Sequence, residues 1–131
     1  RAHAQDSGSE KLIVYVPKGQ TIKDWSESIQ MQELHMLASA SVEEFLELLQ
    51  AAILKNCPNG QYEIVKNFKG NEALAEWHTG TCQGRPVEEA LLRIRIERET
   101  IYVLSYNVRA KGMDSNKRKQ WLSILEKAQI Q

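Results

Sequence analysis

From Leu91 to Val108 the chain reads LLRIRIERETIYVLSYNV, two alternating runs divided by Arg98 and Glu99. In the first run Leu92, Ile94 and Ile96 alternate with Arg93, Arg95 and Glu97. In the second, Tyr102, Leu104, Tyr106 and Val108 alternate with Val103, Ser105 and Asn107. A period of two belongs to a strand, whose successive side chains point to opposite faces. The pattern predicts a long antiparallel hairpin at the centre of a sheet, with Arg93, Arg95 and Glu97 on a wet face.

The other segments supply partners for that hairpin. Leu12–Val16 (LIVYV) is a β-branched apolar run closed by Pro17 and Gly19 and reads as a buried strand. Thr21 to Trp25 is expected to make one helical turn. The second strand spans Ser26 to Gln32, with Trp25, Glu27, Ile29 and Met31 alternating with Ser28 and Gln30. His35 to Ala40 is a connection, and Ser41-Val42-Glu43-Glu44 then forms a capping box. Behind it Val42, Phe45, Leu46, Leu49, Ala52 and Ile53 recur at spacings of three and four, the stripe of an amphipathic helix. Lys55 and Asn56 suit its C-terminus, a cation against the dipole and an Asn able to turn left-handed.

After a turn at Asn59-Gly60, Tyr62–Phe68 is a third strand with Tyr62, Ile64 and Phe68 on one face. Lys69-Gly70-Asn71 turns the chain into a fourth strand, Ala73 to Thr81, carrying Trp77. Past the hairpin, Lys111-Gly112-Met113 ends the sheet. Asp114 or Ser115 caps a closing helix with the stripe Trp121, Ile124, Leu125 and Ala128. The resulting order is ββαββββα, an α+β sandwich in which a largely antiparallel six-stranded sheet carries one helix on each side. Residues 11–131 are read as a single domain, and residues 1–10 (RAHAQDSGSE), without periodicity, as a disordered lead-in.

Composition narrows the partners. Lys plus Arg and Asp plus Glu both number 17, so no long-range field draws a polyphosphate, and nucleic acid is not an expected partner. No run approaches the ~20 apolar residues of a membrane span. Ala2-His3-Ala4 before Gln5 matches the A-x-A pattern of a signal-peptidase cut. Cys57 and Cys82 stand in polar surroundings, KNCPNG and TGTCQG, where a bridge is the better reading than two unpaired thiols. Such a bridge, closing a loop of about 25 residues, adds on the order of 3 kcal/mol by chain entropy and persists only in an oxidising compartment. The expected location is therefore periplasmic or secreted.

Catalytic patterns are sparse. The histidines and cysteines show no metal-ligand spacing, and neither a metal nor another cofactor is implied. No nucleophile elbow, P-loop or dinucleotide fingerprint occurs. His78 and Cys82, four residues apart on the expected strand, would stand some 13 Å apart at ~3.3 Å per residue. Arg93, Arg95 and Arg109 are candidates to line one hairpin face and hold a carboxylate or phosphate. Glu88, Glu89 and Glu97 make cross-strand ion pairing the stronger reading. Trp77, with His78, is a further candidate for ligand contact, though it falls among apolar positions that suit a core.

The element order resembles the Mog1/PsbP-like fold. VPKGQTIKDWSESIQMQ is similar to the opening of small exported bacterial proteins, and IYVLSYNVRAK with a Trp-containing final helix fits the same pattern. The likeness runs from residue 11 to 128 in outline. It implies an accessory or binding role and carries no catalytic residues across. The expectation is an exported, non-enzymatic binding domain whose partner is another protein or a small ligand. The alternative is a small hydrolase with its site near His78.

Overall fold

Each described strand finds an antiparallel neighbour in one sheet, so the backbone N–H and C=O groups between neighbouring strands are paired. The computed structural model describes residues 2–6 by their backbone, and residues 10–21, 23–35, 41–80, 82–84, 87–109 and 113–128. The strands are β1 (Ala2–Asp6), β2 (Glu10–Tyr15), β3 (Glu27–His35), β4 (Gln61–Phe68), β5 (Glu72–His78), β6 (Glu88–Glu97) and β7 (Thr100–Arg109). Two helices, α1 (Val42–Leu54) and α2 (Ser115–Lys127), complete the α+β architecture. The spatial order is β1-β2-β3-β7-β6-β5-β4. From Glu10 onward the ββαββββα order and the antiparallel sheet with two helices are as expected, and β1 adds a strand at the edge.

That edge strand corrects the disordered lead-in. Ala2–Asp6 pairs with Lys11–Tyr15, from Ala2↔Tyr15 to Asp6↔Lys11. Edge pairing is made by backbone groups and needs no apolar alternation, so RAHAQD gave no pattern to read. His35, expected to open a connection, ends β3 opposite Thr100, and residues 7–9, 36–40 and the Lys111-Gly112 break lie outside the described residues.

The helices lie on opposite faces. On the α1 face, Val42 and Leu46 pack with Ala73, Ala75, Trp77, Leu92, Ile94, Ile96, Ile101 and Val103. On the α2 face Leu125 meets Leu74 and Leu91, flanked by Phe68, Leu104, Trp121 and Leu122. Both faces of β6 are therefore covered, which corrects the wet side expected for Arg93: it is only 7% exposed. The α1 capping box forms as expected, Glu44 N–H donating to Ser41 Oγ at 3.1 Å and Ser41 N–H to Glu44 at 3.3 Å. Asp114 caps α2, accepting from Lys117 N–H at 2.8 Å.

Four local expectations change. Thr21 and Asp24 exchange both backbone hydrogen bonds at 3.2 Å, closing a tight loop where a helical turn was expected. Ile124 is exposed, and Leu122 takes its place beside Trp121 and Leu125. Lys55, with α-helical dihedrals, is the α1 cap, and Asn56 is not left-handed. The register slips between Ile64 and Lys66, a bulge at Val65. The extra residue sends Tyr62 and Ile64 to the α1 face but Phe68 to the α2 face. Among the described residues no helix is long and apolar enough to cross a membrane.

Candidate functional site

The two helices cover the β4–β7 half of the sheet. Beyond them, the α1 face is covered at Val14 and Val16 by Trp25, just before β3. Between Trp25 and α1 the face turns polar. In β3 the residues pointing there are Ser28, Gln30 and Gln32, and in β7 they are Ser105, Asn107 and Arg109, because Ser28 pairs with Asn107 and Gln30 with Ser105. Ser28, Ser105 and Asn107 are buried. The sequence placed Ser28 and Gln30 opposite the apolar positions, yet it is Met31 that faces solvent, 47% exposed.

All of these polar side chains but Ser28 line a cavity of about 350 Å³, together with Leu49, Ile53, Trp77, Leu92 and the cysteine pair. Gln30 Nε2 donates to Ser28 Oγ at 3.1 Å and Asn107 Nδ2 to Ser105 Oγ at 3.0 Å. Each amide thus spends one N–H on a neighbouring serine and keeps its oxygen as an acceptor. The Trp77 indole N–H is buried and has no hydrogen-bond partner, an expensive state for a donor unless something accepts from it. At the rim, the Arg109 guanidinium lies 3.6 Å from the Trp25 ring centroid, and its Nε stands 4.0 Å from Glu88. A second recess, about 460 Å³, opens on the other side of Arg109 along the Gly19–Ser26 loop.

Cys57 and Cys82 form the expected disulfide, with Cα atoms 4.1 Å apart. The loops it joins are zipped further by Gln83 N–H donating to the Asn56 carbonyl at 2.8 Å. Gly80 makes that approach possible: its φ is +63°, and a Cβ there would stand 3.0 Å from that of Asn59. β5 ends at His78, so Cys82 lies in this loop and not on the strand expected to reach Thr81, which is outside the described residues.

The sequence candidates scatter. Arg109 and Trp77 meet at the cavity. Arg93 and Arg95 lie on the opposite face, because Arg109 shares its face with its register partner Glu88, while odd-numbered β6 residues point to α2. This corrects the single arginine-lined face. Arg93 pairs with Glu72 and donates to the Leu125 and Glu126 carbonyls at 3.1 and 2.8 Å, closing the end of α2. Arg95 pairs with Glu97 at 3.0 Å.

His78 also belongs to the α2 face. Its Nε2 is 2.8 Å from Glu76 and its Nδ1 3.5 Å from Glu89, while Arg118 grips the other oxygen of Glu76. Burial alone would push the Glu76 carboxyl up, but the hydrogen bonds and charges of Arg118 and His78 hold it below 4.5. Across the sheet Thr100 Oγ1 lies 3.2 Å from His35 Nδ1, with Glu33 3.6 Å from its Nε2. That hydroxyl–imidazole–carboxylate contact is a cross-strand pair at the exposed end of β3. Among the described residues no three His, Cys, Asp or Glu gather as metal ligands.

Compared with known proteins, the chain matches no family model and no curated sequence. The cavity therefore has to be read from its own chemistry. Its amides and hydroxyls escaped the sequence reading because polar residues at period two in a strand mark the solvent side in most sheets. One signal was present: Ser28-x-Gln30-x-Gln32 and Ser105-x-Asn107-x-Arg109 are matching polar runs in two long strands.

Proposed function

We propose that the protein is an exported, non-enzymatic binding domain that takes a small ligand in the cavity between α1 and the β3–β7 strands. The observation that carries this reading is the row of buried polar groups, Ser105 and Asn107 above all, opposite an apolar wall. Concave sites of about 300–1,000 Å³ that combine apolar walls with a few fixed polar groups are the usual form of small-molecule sites. A disulfide at the cavity wall supports an oxidising compartment, periplasmic or secreted. The antiparallel sheet between two helices is in keeping with a Mog1/PsbP-like accessory protein of bacterial origin. The catalytic alternative at His78 has less support, since carboxylates flank both ring nitrogens.

Two measurements test the proposal. In a small-molecule screen followed by amide chemical shifts, binders are expected to move Gln30, Ser105 and Asn107 together. Shifts confined to the exposed Tyr15 and Met31 side of the sheet, or to the ends of β3 and β7 around His35, would instead mark a partner surface or a catalytic site. For export, an unreduced and alkylated digest of protein from its native host should yield the Cys57–Cys82 peptides linked. Two alkylated cysteines would remove that half of the reading.

A further inference from the structure

We infer that the cavity recognises a neutral saccharide, a mono- or disaccharide unit; the inference rests on the small-ligand reading above and names its ligand class. Four features select this chemistry. The first is charge: Arg109 and Glu88 stand 4.0 Å apart at the rim, so an anion meets a carboxylate and a cation meets a guanidinium. A ligand without charge conflicts with neither. The second is the kind of hydrogen bonding on offer. Gln30 and Asn107 each retain an amide oxygen beside the serine they bond, and amides and hydroxyls both donate and accept. Sugar hydroxyls do the same, whereas a hydrocarbon would leave these groups stranded.

The third feature is spacing. Residues two apart on a strand stand roughly 7 Å from each other and adjacent strands ~4.8 Å. Gln30, Gln32 and Ser105 therefore form a lattice on the scale of one sugar ring. The fourth is the opposite wall. Leu49 and Ile53 of α1 offer an apolar surface to the C–H face of such a ring, and Leu92 and Trp77 continue it along the sheet beside Ser105. A volume of about 350 Å³ admits a unit of this size.

The test is a titration of the full chain, disulfide intact, followed by amide shifts and saturation-transfer NMR. The probes are glucose, N-acetylglucosamine and maltose, set against glutamate, acetate and hexanol. At least one neutral sugar is expected to bind with a Kd of roughly 1 mM or tighter and to shift Ser105 and Asn107. Asn107→Leu and Gln30→Leu should each weaken it by about tenfold or more, as should a deoxy analogue that leaves a site amide unpaired. If Asn107→Leu fails to fold, Gln30→Leu, at a half-buried position, reads the same loss. Shifts of Ser105 and Asn107 with glutamate, acetate or hexanol but with no sugar overturn the saccharide class and leave the cavity reading standing. A cavity that responds to none of the probes and to no other small molecule overturns both.

Discussion

Glu76 shows how a single side chain is set by what surrounds it. It projects from β5 beneath α2, half enclosed, and its two oxygens are shared between His78 and Arg118. Burial disfavours the charged carboxylate, yet the two donors and their charges outweigh it and keep the group ionised below its ordinary 4.5. A carboxyl depressed on folding contributes stability that is fully present above 4.5 and is lost as pH falls through the folded value. Glu76→Gln is therefore expected to lower stability at neutral pH and to flatten its acid decline. Urea midpoints measured between about pH 3 and 7 check this; acid limbs that run parallel in the two proteins would show that Glu76 is not part of the acid response. The same surroundings push Arg118 up, its hydrogen bond to Glu76 being the chief cause, so that the guanidinium stays charged across this range.

At the scale of elements, Arg93 joins α2 to the sheet. It is buried on β6, lies 3.9 Å from the Phe68 ring centroid, pairs with Glu72 and donates to the last carbonyls of α2. The Leu125 carbonyl also accepts from the C-cap Ala128 N–H at 3.2 Å, and a cation at this end meets the negative end of the helix dipole. Arg93→Met should cost roughly 3 kcal/mol, because Glu72 and the helix end are left without their donor. The Arg93→Met, Glu72→Gln pair should cost less than the two singles added. A chemical-denaturation loss within about 0.5 kcal/mol, typical of surface sites, would remove Arg93 from this role. The sequence held the hairpin, both helix starts and the disulfide in plain view, since alternation, capping boxes and cysteine context are local signals. It did not hold the fate of Arg93, which reads as one of several charges on a wet face until a helix from the far end of the chain arrives to cover it. Phe68 was misplaced for a similar reason: a bulge at Val65 leaves the residue types unchanged and reverses which face they serve. Ser28 and the cavity residues Gln30, Ser105 and Asn107 were misread because their burial depends on β3 lying beside β7, a long-range pairing that spacing along the chain does not disclose.

For the whole molecule, the sheet divides into a half held between two helices and a wing, β1–β2–β3, packed mainly by Trp25 against Val14 and Val16 on one face. On its other face Tyr15 is 43% and Met31 47% exposed, so burial contributes little there and backbone pairing a larger share. β1 is the outermost strand, and all five of its residues are registered on β2. Removing residues 1–6 turns β2 into the edge and returns the β2 groups that paired with β1 to water. Exchanging protein hydrogen bonds for water bonds is nearly balanced bond by bond, so a net loss of about 1 kcal/mol is expected, not the sum of five pairs. For a chain of this length that corresponds to a melting temperature lower by roughly 2–6 °C. The cavity should be spared, because its polar floor lies on β3 and β7, inward of the deleted strand. A truncated protein with an unchanged melting temperature would show that β1 adds no stability. One that melts lower while its Ser105 and Asn107 amide signals stay in place would show the wing loosening independently of the cavity, as the division of the sheet requires.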